Sequence, residues 1–211
     1  MEFGVDEAGK GPVLGSMFVA AVRADPAALP DDVGDSKGIP SARRQELDGA
    51  IREAAEAVEV VEITVERIDD PETDMNELTV AGHGEALAGV VEAELSGYAD
   101  AGDTNAVRFE RRVSERLDTA VDLRAEHGAD ESYPIVGAAS ILAKVARERH
   151  VEALAAEYGP VGSGYPSDPE TRDFLESFVA EHGELPACAR ESWQTSRDVL
   201  NARDQASLSD F

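Results

Sequence analysis

The sequence predicts an α/β fold in which a β-sheet is covered by helices. Short apolar runs typical of strands alternate along the chain with segments of helical spacing. Hydrophobic residues make up 42% of the chain, and 211 residues are enough for one substantial core. The length leaves room for a modest extension but hardly for a second full domain.

The amino-terminal half supplies the first strands. Two apolar runs, at residues 3–5 and 13–22, flank a segment rich in glycine and charge. Helical spacing follows at residues 41–57, and a third strand is predicted at residues 58–65. A helix is predicted at residues 76–95, although it contains three glycines.

The remaining elements continue the alternation. A short apolar segment at residues 97–101 ends in acids, and a helix, a strand and a long helix follow at residues 106–117, 120–123 and 135–158. Two further helices, at residues 170–181 and 189–203, form a small extension. Serine and glutamate at positions 167 and 170 predict a capping box at the first of these helices. We therefore expect an α/β domain at residues 1–158, a C-terminal helical extension at residues 159–203 and a flexible tail at residues 204–211.

The charge balance is strongly acidic. The chain has 44 acidic and 19 basic residues, which gives a formal net charge of −25. Such a balance usually argues against nucleic-acid binding, and acidic chains are often disordered, but the periodic apolar segments favour a folded chain. Only three of the basic residues are lysines. An acidic, lysine-poor surface resembles that of halophilic proteins.

High salt would change what this charge means for binding. At molar salt the Debye length is roughly 3 Å, so long-range repulsion of a phosphate backbone is screened. Affinity that depends on counterion release is weakened as well, so contacts must be short or bridged by metal ions. Under these conditions the net charge does not exclude a nucleic-acid substrate.

Targeting and redox features are few. No run of 18 apolar residues and no signal-peptide pattern occurs, which predicts a cytoplasmic protein without a membrane segment. The single cysteine, Cys188, cannot form an internal disulfide, and no zinc-ligand spacing is present. A monomer is the default expectation.

Two adjacent acids, Asp6 and Glu7, follow the first apolar run and precede a glycine-flanked turn. Carboxylates at a strand end suit hard cations such as Mg²⁺ and Mn²⁺, which prefer oxygen ligands. A solvated turn is the alternative, because adjacent acids are common in so acidic a chain. The segment is not a dinucleotide-binding fingerprint, since Leu14 stands where its third glycine would be.

The segment at residues 6–12, DEAGKGP, resembles the opening motif of the ribonuclease HII family. Four further segments match that family in the same order, so the resemblance covers about residues 3–200. These segments are residues 35–37 (DSK), residues 98–101 (YADA) with Arg108 and Phe109 downstream, residues 130–145 (DESYPIVGAASILAKV) and residues 162–168 (GSGYPSD). Five ordered motifs are far more specific than any one of them.

The resemblance implies a ribonuclease H-like mixed β-sheet flanked by helices, with the C-terminal extension completing the substrate site. It implies an endoribonuclease that hydrolyses the RNA strand of RNA/DNA hybrids and cuts 5′ of ribonucleotides embedded in duplex DNA. Two Mn²⁺ or Mg²⁺ ions would be held by four catalytic acids, which repel one another without cations. These acids are Asp6, Glu7, Asp100 and Asp130. Asp103 is the alternative third acid, but Asp100 directly follows the apolar segment.

The resemblance also implies a set of substrate-binding residues. A turn without bulky side chains suits contact with a 2′-hydroxyl, and a loop tyrosine would read the junction between a ribonucleotide and the next deoxynucleotide. All three lysines fall inside the motifs, which predicts phosphate contacts. The predicted substrate-binding residues are Gly9, Lys10, Gly11, Lys37, Ser140, Lys144 and Tyr165. One departure is Glu148 after Arg147, where the family often has aspartate.

The tail suggests a protein partner. Gln205, Leu208 and Phe211 have the Q-x-x-L-x-x-F spacing of motifs that dock on the sliding clamp, the proliferating cell nuclear antigen. One helical turn would place the leucine and an aromatic residue on the same face, as a groove of that kind requires. A chance match is the alternative, because the pattern is short.

Three other interpretations remain open. Ribonuclease HIII is a related family with an extra amino-terminal domain, whereas the catalytic strand here is predicted to start at residue 2. A non-catalytic clamp-binding adaptor would be expected to have lost at least one acid, and all four are present. A structural cation or hydration site would use the acids without catalysis. Substitution of Asp6 or Asp130 by asparagine should abolish turnover if the acids are catalytic, whereas it would change only salt or metal stability if they are structural.

Overall fold

The computed structural model describes residues 1–34 and 38–209, with side chains through residue 205. Five strands form one sheet in the order β3-β2-β1-β4-β5. β1 is antiparallel to β2 and β2 to β3, whereas β4 is parallel to β1 and β5 to β4. The predicted mixed sheet is confirmed. The strands are β1 Glu2–Ala8, β2 Met17–Ala24, β3 Ala57–Ile63, β4 Ser96–Asp100 and β5 Asp122–Glu126.

Helices cover both faces of the sheet. α3 and α4 pack on one face around the buried side chains of Phe3, Leu87 and Phe109, and α1 and α6 pack on the other around Ile51 and Ile141. The helices in the described residues are α1 Ser41–Ala54, α2 Val65–Ile68, α3 Met75–Ala88, α4 Ala106–Ser114, α5 Ala129–Ser132, α6 Pro134–Tyr158, α7 Pro169–His182 and α8 Gln194–Ser209. None of them, within that part of the chain, is long and apolar enough to cross a membrane.

The central strand β1 lies directly under the start of α6. A Cβ atom added at Gly4 would lie 2.5 Å from the backbone oxygen of Ile135, so only glycine allows this approach. α6 is preceded by the single turn of α5, which carries Asp130. The close contact at Gly4 therefore brings the α5–α6 segment to the sheet edge where β1 ends.

The extension packs on the domain through a third apolar cluster, which includes Val13, Leu154, Leu175 and Ala189. The amides of Val13 and Leu14 both donate to the carbonyl of Gly164, at 2.8 and 3.2 Å. Residues 13–14 thus pair with the extension instead of starting β2, which explains why the strand begins later than predicted. The proposed boundary at residue 158 therefore separates two parts that share a core.

Several element boundaries differ from the prediction. α3 ends at Ala88 because Gly89 caps it, and the predicted last two turns lie outside the helix. The predicted capping box is wrong, because the side chain of Asp168 accepts the Glu170 amide at 3.0 Å and is the N-cap of α7. α8 starts later than predicted and continues to Ser209, so the segment expected to be a flexible tail is helical up to that residue.

Candidate active site

The predicted acids come from neighbouring elements that end at the same edge of the sheet. Asp6 and Glu7 are near the end of β1, and the parallel pairing of Val5 with Ala99 puts Asp100 beside Asp6. The amide of Ala129 donates to Asp100 Oδ1 at 2.9 Å, which joins α5 and its Asp130 to this edge. The fold thus brings together four acids that are up to 124 positions apart in the sequence.

The charges of these acids act on one another. Burial raises the pKa of Asp6 well above its usual value, and the carboxylates of Glu7 and Asp100 raise it further. The pKa of Asp100 is raised by burial and by the charges of Glu7 and Asp130, against the opposing hydrogen bond from the Ala129 amide. Asp6 is only 5% exposed. Their ionised forms therefore require a compensating positive charge.

The donor set fits a hard divalent cation. All four candidate ligands are carboxylates, the groups that Mg²⁺ and Mn²⁺ prefer, and two of them have pKa values raised by burial and mutual repulsion. In the part of the chain that the structure describes, no three acidic, histidine or cysteine side chains already converge on one point. Side-chain rotation of the carboxylates would therefore accompany ion binding.

Glu7 has a partner that the sequence did not predict. His83 on α3 is fully buried, and its Nε2 lies 2.9 Å from Glu7 Oε2. Burial alone would raise the pKa of Glu7, but the hydrogen bond and charge of His83, with the charge of Lys10, lower it overall. The ring of Phe109 packs edge-on against His83, with centroids 4.9 Å apart. One carboxylate of the group is therefore held in place by a histidine.

Asp100 and Asp103 have different environments. Asp103 is held by Arg108, whose Nε and Nη2 donate to Asp103 Oδ2 at 3.0 and 2.6 Å. These hydrogen bonds lower the pKa of Asp103 to about 2. Asp100, by contrast, interacts with Glu7 and Asp130. The geometry supports Asp100 as the third acid, because the carboxylate of Asp103 is already paired.

Two of the predicted substrate residues form a relay to Asp6. Lys144 Nζ donates to Ser140 Oγ at 2.9 Å, and Ser140 in turn hydrogen bonds to the Asp6 carboxylate. Both residues lie on α6, and Ser140 is fully buried. Lys10 hydrogen bonds to the carbonyl of Gly102 beside the same edge. Two lysines thus bring positive charge close to the acids.

The turn after β1 faces an open cavity. Gly9 has φ +92°, and a Cβ atom there would lie 3.0 Å from Arg147 Cδ, so both conformation and space require glycine. The ring of Tyr165 lies against Gly11, 3.7 Å from the place of an added Cβ, and the residue is 44% exposed. The cavity measures about 650 Å³, and its lining includes Glu7, Gly9, Lys10, Gly11, Lys144, Arg147 and Tyr165.

The tyrosine loop is fixed by its own hydrogen bonds. Asp168 Oδ2 accepts from the amide and the hydroxyl of Ser163 at 2.7 and 2.6 Å, and Thr171 Oγ1 accepts from the Gly164 amide at 2.9 Å. The backbone of Gly164 has φ +81°. A rigid loop therefore presents Tyr165 to the cavity.

Two arginines in contact with the turn at residues 9–11 were not predicted as site residues. Arg147 on α6 and Arg190 in the extension are buried, and each donates to backbone carbonyls. Nothing in the local pattern indicated either residue, since Arg147 is followed by the charged residues Glu148 and Arg149. Among the predicted residues, Lys37 and Phe211 lie outside the described residues. Gln205 is exposed on α8, and Leu208 belongs to the same helix.

The mixed sheet with acids at one edge defines a ribonuclease H-like hydrolase. The model of the family "Ribonuclease HII" matches residues 3–196, and the chain belongs to this family. It is 67% identical to ribonuclease HII from Haloarcula marismortui over the full length of both chains. The chain is therefore a ribonuclease H, a hydrolase of the RNA strand in RNA/DNA hybrids, and its family depends on divalent metal ions.

Solved structures agree with this assignment. The crystal structure of ribonuclease H2 from Pyrococcus horikoshii OT3 matches with a TM-score of 0.90 and 34% identity, covering 96% of this chain and 98% of that one. The ribonuclease HII in a complex with PCNA from Archaeoglobus fulgidus matches with a TM-score of 0.85 and 38% identity over all of both chains. Bst-RNase HIII in complex with Mn²⁺ shares the fold, with a TM-score of 0.81, but only 20% identity over 97% of this chain and 70% of that one. Membership in the HII family is thus favoured over the HIII alternative.

Proposed function

We propose that the enzyme cuts 5′ of ribonucleotides embedded in duplex DNA as well as within RNA/DNA hybrids, with Asp6, Glu7, Asp100 and Asp130 as its catalytic and metal-binding residues. The observation that carries this proposal is the group of mutually repelling carboxylates beside an open cavity. Products would carry 5′-phosphate and 3′-hydroxyl ends. Residues 159–203 would complete the substrate site, because they supply Tyr165.

Two Mn²⁺ or Mg²⁺ ions held by these acids would activate the attacking water and stabilise the leaving 3′-oxygen. The chain's own residues would orient the ligands. His83 holds Glu7 through its hydrogen bond, and Ser140 holds Asp6. Such hydrogen bonds to ligating carboxylates commonly govern metal affinity.

The cavity wall supports recognition of a single ribonucleotide. Backbone amides at Gly9, Lys10 and Gly11 offer donors close to the acids, where no large side chain blocks a 2′-hydroxyl. Tyr165 would stack its half-exposed ring against the following deoxyribose. Lys10, Lys37 and Lys144 would contact phosphates. The site would thereby read the junction between one ribonucleotide and DNA.

The decisive experiment is cleavage of a labelled DNA duplex that carries one ribonucleotide, in molar KCl with Mn²⁺ or Mg²⁺ and with chelator as the control. We expect a metal-dependent cut immediately 5′ of the ribonucleotide and no cut in an all-deoxy duplex. Cleavage of a long RNA/DNA hybrid without cleavage of this substrate would refute junction recognition but not the nuclease activity on hybrids.

Paired substitutions test the identity of the third acid. We expect Asp100→Asn to abolish cleavage, because an ion would lose a ligand, whereas Asp103→Asn should remain active, because that carboxylate is paired with Arg108. Metal-dependent cleavage rates of the two variants give the comparison. The reverse result would assign the role to Asp103.

We also propose that the C-terminal segment binds the sliding clamp. The related Archaeoglobus fulgidus protein forms a complex with PCNA and aligns with this chain from end to end. Gln205 and Leu208 are three residues apart on α8, a spacing that suits one helical face. Removal of residues 204–211 should abolish binding to an archaeal PCNA in calorimetry while hybrid cleavage persists. Unchanged binding would exclude this role for the tail.

A further inference from the structure

The carbonyl oxygens of the Gly9–Lys10–Gly11 turn all accept hydrogen bonds from side chains of the C-terminal extension. Arg190 Nη2 donates to the oxygen of Gly9 at 2.6 Å, and Arg190 Nη1 donates to that of Lys10 at 3.0 Å. Trp193 Nε1 donates to the oxygen of Gly11 at 3.2 Å. Three consecutive peptide units are therefore oriented by two side chains that lie about 180 residues further along the chain.

Orienting the carbonyls also orients the amides. In a trans peptide the N–H points opposite to the C=O of the same unit, and the described chain has no cis peptide bond. With the oxygens of Gly9 and Lys10 directed at Arg190, the amides of Lys10 and Gly11 point away from it. Neither amide donates to another group within the described residues. These two donors are therefore available on the opposite side of the turn from Arg190, and the cavity is lined by the same turn residues.

The guanidinium of Arg190 is fixed in place by burial, a hydrogen bond and an aromatic contact. Arg190 is fully buried, its Nε donates to the Gly15 carbonyl at 2.8 Å, and its planar group lies 4.7 Å from the ring centre of Trp193. A rigid fork of this kind can bind several oxygens at once, which lysine cannot do in the same way. Within the described residues the hydrogen bonds of this guanidinium all go to backbone carbonyls. Burying a charge in this way is costly, so packing alone does not account for arginine here.

We propose that Arg190 and Trp193 are positioning residues that hold the turn with its amides facing the substrate, so that discrimination between ribonucleotide and deoxyribonucleotide depends on the C-terminal extension. The inference rests on the proposed recognition of embedded ribonucleotides. Arg190 does not touch the reacting atoms. It acts through the backbone of Gly9 and Lys10, and Trp193 acts through that of Gly11.

The test compares Arg190→Met and Trp193→Phe with the wild type and with Arg203→Met. Arg203 is a matched control, because it lies in the same extension and donates to a backbone carbonyl, that of Gly183, away from the turn. For each protein, KM is measured for a duplex with one ribonucleotide, and Ki is measured for the all-deoxy duplex of the same sequence as competitor, with Mn²⁺ in molar KCl. The ratio of Ki to KM measures discrimination. Calorimetry gives the affinity for Mn²⁺ alone.

We expect Arg190→Met to lower this ratio about tenfold, mainly through KM, because the turn loses two of its hydrogen bonds. Trp193→Phe should lower it less, since one bond is lost and an aromatic ring remains. The affinity for Mn²⁺ should not change in either variant, and Arg203→Met should resemble the wild type. Trp193→Phe also serves as the test if circular dichroism shows that Arg190→Met does not fold.

The outcomes separate this inference from the proposed function. Unchanged Ki/KM ratios in folded variants would overturn the positioning role while the wild type still prefers the ribonucleotide. A loss of Mn²⁺ affinity parallel to the loss of discrimination would also overturn it, because the whole site would then be disturbed. A wild type that cleaves hybrids but shows no preference for the embedded ribonucleotide would refute the proposed substrate, and this inference with it.

Discussion

At the scale of single residues, the ionised carboxylates of Asp6 at the end of β1 and Asp100 at the end of β4 are unfavourable for folding. The pKa values of Asp6 and Asp100 are raised by burial and by neighbouring carboxylates. Between the ordinary carboxyl pKa and these raised values, the folded chain binds more protons than the unfolded chain. The contribution of these groups to stability therefore falls as pH rises through that window.

Asp6→Asn should stabilise the protein in chelator at neutral pH. The substitution removes a buried carboxylate that the charges of Glu7 and Asp100 repel, for which we expect a gain of about 1–3 kcal/mol in the free energy of unfolding. Denaturant unfolding in molar KCl measures it, and the gain should disappear below about pH 4, where the carboxyl is protonated in both states. Saturating Mn²⁺, at 100 times its Kd, should stabilise the wild type by about 2.7 kcal/mol and the variant by less. A variant less stable than the wild type at pH 7 would contradict this account.

His83→Ala should weaken metal binding without removing a ligand. Glu7 would lose the hydrogen bond that orients its carboxylate, and substitutions of this kind commonly cost about 10–100-fold in metal affinity or activity. Calorimetry with Mn²⁺ gives the affinity. His182→Ala is the control, because His182 stacks on Phe178 in the extension, away from the acids. Equal affinities of the two variants would show that His83 only fills space.

At the scale of elements, α6 packs closely on β1 because Gly4 has no side chain. Gly4→Ala would place a Cβ atom 2.5 Å from the Ile135 oxygen, and overpacking typically costs about 1–3 kcal/mol, sometimes more. Gly49→Ala is the opposite case: no atom lies within 4 Å of its added Cβ in the middle of α1. That change should stabilise by roughly 0.5–1 kcal/mol. Thermal unfolding of both variants tests the prediction, and equal effects would refute the close contact.

At the scale of the whole molecule, a net charge of −25 opposes both folding and approach to a polyanion. Added salt screens both kinds of repulsion. We expect the free energy of unfolding, and kcat/KM on an RNA/DNA hybrid, to rise as KCl increases from about 0.1 to 1 M, where the Debye length falls from about 10 to 3 Å. Circular dichroism on the assay samples separates loss of folded protein from weaker binding. A kcat/KM that falls steadily over this range, in fully folded protein, would indicate that counterion release dominates instead.

The sequence by itself determined the class of fold and the family, and it predicted the acids. Alternating apolar runs and helical periods are local consequences of which face each residue buries, so strands and helices could be predicted from them. Five ordered motifs named the family, which the family model confirms. The prediction of Asp100 as the third acid rested on its place at a strand end. Its interactions with Glu7 and Asp130 support that choice, but its role stays a prediction.

Only the tertiary structure decided what surrounds these residues. His83, Arg147 and Arg190 carry no local signal of their function, because their partners lie far away in the sequence and become neighbours only when helices pack on the sheet. The late start of β2 has the same cause, since the amides of Val13 and Leu14 donate to the carbonyl of Gly164 in the extension. Periodicity reports which face is buried, whereas hydrogen bonds between distant segments depend on how the faces meet.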